Sequence, residues 1–247
     1  MAYCKTLLLL SLSQRMIRNI IKSPIFIGLA SSVLLSACSS QLPTEKEQAA
    51  VAPANIKLSE VNYSSDEKGV QWVSKDLAPE EYTNIIVQPV SIDLKEKRSE
   101  QIPQDVLVKI SDRITETLKS EMSSDVNVVS EPDAHTGKLS IVIYEASTGA
   151  EDAKVTDFIP VGAVIDGIAA AVGHRSQTVR LVIEAKVTDS ITGKLLAERI
   201  SVIKENGLLS NEHVKLTYDE IHKRVDGLVK EMRTFVQSAV YSAKQKP

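Results

Sequence analysis

The clearest rhythm in the chain runs from Thr178 to Thr188. Val179, Leu181, Ile183, Ala185 and Val187 fall on one side, and Arg180, Glu184, Lys186 and Thr188 on the other, with Val182 as the exception. A period of two with one apolar side predicts a strand with one face buried and one wet. Asp189-Ser190-Ile191-Thr192-Gly193 then predicts a hairpin turn, and Leu195 to Lys204 its partner strand. Lys138 to Glu145 alternates in the same way, with Leu139, Ile141 and Ile143 on one side. Asn84 to Val90 reads as a buried strand and Val126 to Val129 as a short one. Two stretches change period. Pro103 opens a run in which Val106, Ile110, Ile114 and Leu118 recur every four residues, with Leu107 and Met122 beside them. Thr217-Tyr218-Asp219-Glu220 has the form of a capping box and precedes the stripe Ile221, Val225, Leu228, Met232, Val236 and Val240. The order β-α-β-β-loop-β-β-α predicts an α+β fold. Its single mixed or antiparallel sheet would carry two helices packed on one face.

The N-terminal region follows different rules. Ser23 to Ala37 is apolar and uncharged and is preceded by Arg18 and Lys22. A basic flank, a short apolar run and small residues before a cut describe an export signal. The run is shorter than the roughly 20 residues a membrane-spanning helix needs. Leu35-Ser36-Ala37-Cys38 resembles the lipobox of bacterial lipoproteins. In such proteins the cysteine thiol takes a diacylglycerol, the leader is cut before it, and the new amine is acylated, commonly with palmitate. Cys38 is therefore the expected lipidation site, and residues 1–37 the expected signal peptide. Met16 would open a more compact signal than Met1. Each buried methylene contributes about 0.8 kcal/mol, so two or three chains on Cys38 hold a protein at a bilayer durably. Ser39, where inner-membrane lipoproteins commonly carry Asp, points to the outer membrane with the protein facing the periplasm. Residues 38–70 are polar and without apolar rhythm, and read as a flexible tether. A globular periplasmic domain is expected over 71–247, opening near Val70-Gln71-Trp72-Val73.

Charge and composition remove several functional classes. The leader holds four of the chain's 29 basic residues and no acid, which leaves 25 against 32 acids, a net charge of −7. Such a balance argues against nucleic acid as a partner, and against peripheral binding to anionic headgroups. Aromatics are only 4% of the chain, with Trp72 the single tryptophan, thin for a surface that stacks sugars or bases. Of the two cysteines, Cys4 leaves with the leader and Cys38 takes lipid, so no disulfide within one mature chain is expected. His135, His174, His213 and His222 show no metal-ligand spacing, and no metal or cofactor is expected. No nucleophile elbow or phosphate loop occurs, and no catalytic residue is assigned. Asp219 and Glu220 read as helix-start charges. The glycine-rich apolar segment 160–173 reads as a loop with a short helix; it could also touch membrane, a ligand or a partner.

Gln71-Trp72-Val73, Tyr82, Ile85-Ile86-Val87-Gln88-Pro89-Val90 and the strand and turn from Leu181 to Leu195 resemble a proteobacterial outer-membrane lipoprotein family, domain of unknown function 3313. The resemblance spans roughly residues 60 to 240 and implies no activity. The expected function is a membrane-tethered, non-enzymatic binding or accessory module of the cell envelope with an envelope protein partner. The alternatives are a periplasmic hydrolase with dispersed carboxylates and a lipid-shuttling component using segment 160–173.

Overall fold

Strands β6 (Thr136–Ala150), β7 (Gln177–Asp189) and β8 (Leu195–Leu209) form an antiparallel spine in a computed structural model that describes residues 41–63, 68–78, 81–94, 98–150 and 176–241. The β7–β8 turn is the one expected. Asp189 Oδ1 accepts from the amides of Ile191 and Thr192, and Gly193 takes φ +70°, a left-handed backbone that glycine adopts without strain.

Among the described residues the sheet is mixed and has eight strands, ordered β1-β2-β8-β7-β6-β3-β5, with β4 also beside β6. Here β1 is Ser59–Asn62, β2 Lys68–Val73, β3 Asn84–Val87, β4 Ser91–Ile92 and β5 Asn127–Val128. Strands β3 and β4 both run parallel to β6 and amount to one strand broken at Gln88-Pro89-Val90. Pro89 has no N–H for a ladder, and Val90 N–H turns away to the Thr115 hydroxyl at 2.9 Å.

Helices α2 (Gln104–Met122) and α3 (Tyr218–Ala239) both cover one face. Val106, Ile110, Ile114, Leu118, Ile221, Val225, Met232 and Val236 meet Leu139, Ile141, Leu181, Ile183 and Ala185 in one continuous core. Thr217 and Glu220 close the capping box at the start of α3. The α+β class and the two-helix face are as the sequence predicts.

The other face is not simply wet. It carries a smaller apolar cluster of Val70, Tyr144, Val182 and Ile200. Against that cluster pack Leu42, Val51, Ala52 and Leu58. Val182, the exception to alternation in β7, is thereby explained: it is fully buried on this second face. Tyr144 reaches the cluster by plain alternation with Ile143, and the bulge after it, with Glu145 opposite Val182, returns Ala146 to the helical face.

The expected tether is therefore corrected. Residues 45–51 form helix α1, and residues 59–62 and 68–70 are strands of the sheet. Thr44-Glu45-Lys46-Glu47 is a second capping box, with both reciprocal bonds formed. Regular structure is present from Glu45, 26 residues before the expected boundary at Gln71.

Candidate functional site

Leu35, Ser36, Ala37 and Cys38 lie outside the described residues, as do His174 and segment 160–173. The other histidines sit on separate elements. His135 Nδ1 lies 2.8 Å from the Glu81 carbonyl oxygen and His222 Nδ1 2.7 Å from that of Asp219, while His213 is exposed beside Glu212. No group of three metal-ligating side chains converges among the described residues. No helix among them is long and apolar enough to cross a membrane.

What the fold does bring together is the N-terminal segment and two arginines from the spine. Arg180 of β7 grips residues 42–47 on the outer face. Its Nε lies 3.0 Å from Glu47 Oε1 and its Nη2 2.9 Å from Oε2, a fork-to-fork pair, and Nη2 also donates to the Leu42 carbonyl at 3.1 Å. Burial pushes the Glu47 carboxyl up, but Arg180 and the Thr44 N–H outweigh it and hold Glu47 below its ordinary range. Tyr144 donates to the Glu47 carbonyl, and Lys186 to that of Val51. Four backbone and side-chain groups of residues 42–51 are thus held by the sheet.

Arg199 of β8 grips the next part of the segment from the helical face, where it is 0% exposed. Its Nε pairs with Glu231 of α3 at 2.6 Å. Its Nη1 donates to Gln71 Oε1 at 3.1 Å and to the Val61 carbonyl at 3.3 Å. The Tyr63 ring lies over the guanidinium at 4.5 Å, and the Ser201 hydroxyl adds a short hydrogen bond to Glu231. Gly69 is required where β2 passes over this group, because a Cβ there would fall 2.7 Å from Arg199 Cζ. A buried charge of this kind is stable only when fully partnered, and Val61, Tyr63 and Gln71 supply three of the four contacts named.

A third charged group lies on the outer face, beneath the docked segment. Glu198 is 0% exposed and neither of its carboxyl oxygens has a hydrogen-bond partner among the described residues. Lys186 Nζ lies 2.6 Å from Glu184 and 3.8 Å from Glu198. Burial, then sharing a proton with Glu184, pushes Glu198 up to about 8. At neutral pH Glu198 therefore keeps its proton, facing Glu184 and Lys186.

Sequence reading missed all three groups. Two signals were available. Arg199 falls on the buried side of its strand between Ala197 and Ser201, where an arginine demands a partner. Thr44-x-x-Glu47 repeats the pattern that announces α3.

Comparison with known proteins agrees with the expected family. The uncharacterized lipoprotein YdcL of Escherichia coli (strain K12) is 24% identical over 214 residues, which cover 84% of this chain and 93% of YdcL. Among solved structures, the hypothetical protein CT253 from Chlamydia trachomatis aligns with a TM-score of 0.40 at 15% identity, over 64% of this chain and 99% of that one. Lipoprotein GNA1162 from Neisseria meningitidis aligns with a TM-score of 0.32 at 12% identity, over 61% and 97%. Residues 53–208 match the family described as Protein of unknown function (DUF3313). The chain belongs to this family of proteobacterial envelope lipoproteins of unknown function.

Proposed function

We propose that the chain is a lipoprotein anchored through Cys38 in the outer membrane. It faces the periplasm and acts as a non-enzymatic binding or accessory module held directly against the bilayer. The observation that carries this reading is the docking of residues 42–51 by Arg180, Tyr144 and Lys186. Only three residue steps separate Gln41 from Cys38, and an extended chain spans at most about 3.3–3.6 Å per residue. Lipid on Cys38 therefore leaves the domain about 11 Å of slack, where a free tether over residues 38–70 would let it roam. Ser39 supports the outer membrane, and the lipoprotein relatives support the anchor.

Intact-mass analysis of the native protein should show residues 1–37 removed and Cys38 carrying diacylglycerol. The Cys38→Ser variant should move from the detergent phase to the aqueous phase in a phase separation. An unmodified Cys38 with the leader attached would overturn the reading. Turnover of peptidoglycan or lipid substrates, abolished by Glu198→Gln, would replace the accessory role by a hydrolase.

A further inference from the structure

A cleft of about 290 Å³ opens between β8 and α3, and Gln41 lies on its wall. Lys204, Lys223, Arg224 and Lys230 line the same cleft. Its two acids are already matched by arginines: Asp226 with Arg113 at 3.0 Å, and Glu231 with Arg199 at 2.6 Å. Arg224 in turn pairs with Glu205. Among the described residues Lys223 and Lys230 form no ion pair, and both are exposed. They stand seven positions apart, two turns along one side of α3. Between them Gly227 supplies no side chain, and no atom lies within 4 Å of where its Cβ would be. A gap flanked by two ammonium groups and floored by glycine fits a phosphate.

We propose that this cleft binds the headgroups of anionic phospholipids in the bilayer that carries the anchor. The reasoning is geometric and rests on the reading of Cys38 as the lipidated residue. A lipid at Cys38 holds Gln41 within about 11 Å of the headgroup layer, so the cleft beside Gln41 is the part of the domain that meets that layer. The mature chain's net charge of −7 would repel an anionic surface if spread evenly. Concentrating cations at the exit of the anchor reverses the sign where contact occurs and turns the acidic remainder away from the membrane. The domain is thereby oriented as well as tethered.

Residues 38–247 form one compact unit that holds the entire described core, so fragment 39–247 can be tested without any lipid of its own. At low salt it should sediment with vesicles of phosphatidylcholine containing about one third phosphatidylglycerol, and not with pure phosphatidylcholine. Each basic residue near such a surface accounts for about a fivefold change in partition, so Lys223→Gln with Lys230→Gln should weaken association about 30-fold. A Cβ at position 227 meets no neighbour within 4 Å, so Gly227→Glu can be built there and improves helix propensity. It should weaken association at least as much as one lysine does, without loss of thermal stability. Equal sedimentation with both vesicle types, or indifference to both variants, overturns the proposal. Vesicle association by the fragment alongside an unmodified Cys38 in the native protein would leave the cleft's lipid affinity standing and remove only the anchor.

Discussion

The two faces of the sheet are covered in different ways. The helical face buries a broad apolar interface under 19- and 22-residue helices. The outer face is covered by a seven-residue helix and its flanking segments, with few apolar contacts and many charged ones. Apolar burial on the first scale holds a fold together irrespective of pH. The second face is held by groups that titrate, so its closure depends more on solution conditions than the apolar core does. One face makes the domain; the other fixes how near its N-terminal end the domain lies.

The largest expected difference comes from truncating the helical face. Phe235 is fully buried, and Phe235→Ala should lower unfolding free energy by about 3–5 kcal/mol, measured by urea denaturation. A loss confined to hydrogen exchange in residues 41–62 would break the contrast between the faces.

Next is the pH response of Glu198. Its folded-state pKa is raised to about 8 from an ordinary 4.5, so the folded state retains a proton that the unfolded state releases. This group's contribution is complete below pH 4.5 and declines as pH rises toward 8, by about 1.4 kcal/mol per pH unit. Glu198→Gln keeps the donor to Glu184 and removes the titration. Between pH 5 and pH 7 the parent should therefore lose stability that the variant keeps, read in paired denaturation curves. Parallel curves would show that Glu198 is ionised in the fold. Glu47 works in the opposite sense: its lowered value makes the Arg180 grip present above the ordinary carboxylate range and lost as pH falls through the folded-state value.

The smallest effect is the most local. Arg180→Ala removes the fork on Glu47 and the bond to Leu42. Glu47 remains partly solvated, so the expected loss is about 2 kcal/mol, below the range for a fully buried pair. It should appear as faster amide exchange in residues 44–52, with protection in α2 and α3 unchanged. Global unfolding in place of local release would merge the two faces into one cooperative unit.

The helical face was legible in the sequence because periodicity reports burial by apolar residues. The stripes Val106–Ile110–Ile114–Leu118 and Val179–Leu181–Ile183 named their elements and the sides they bury. The outer face was not legible, because its contacts are between charges far apart in the chain. Glu47 and Arg180 are 133 positions apart and look like ordinary surface residues until they meet. A polar, proline-bearing stretch reads as a tether when its partners are unknown. Only Val182, apolar on the side expected to be wet, betrayed a second covered surface, while Arg199 marked a charge buried under the helices.

Gly69 and Arg199 also carry a consequence for assembly. Val61 lies 138 positions before the guanidinium it accepts from, and Gln71 128 before it. A chain delivered N-terminus first presents β1 and β2 early, yet they cannot settle until β8 and α3 have arrived to supply Arg199 and Glu231. Bringing such distant parts together is slow, so the first strands to emerge are among the last to be fixed. The buried guanidinium acts as a late checkpoint: it is satisfied only when both ends of the domain have been delivered.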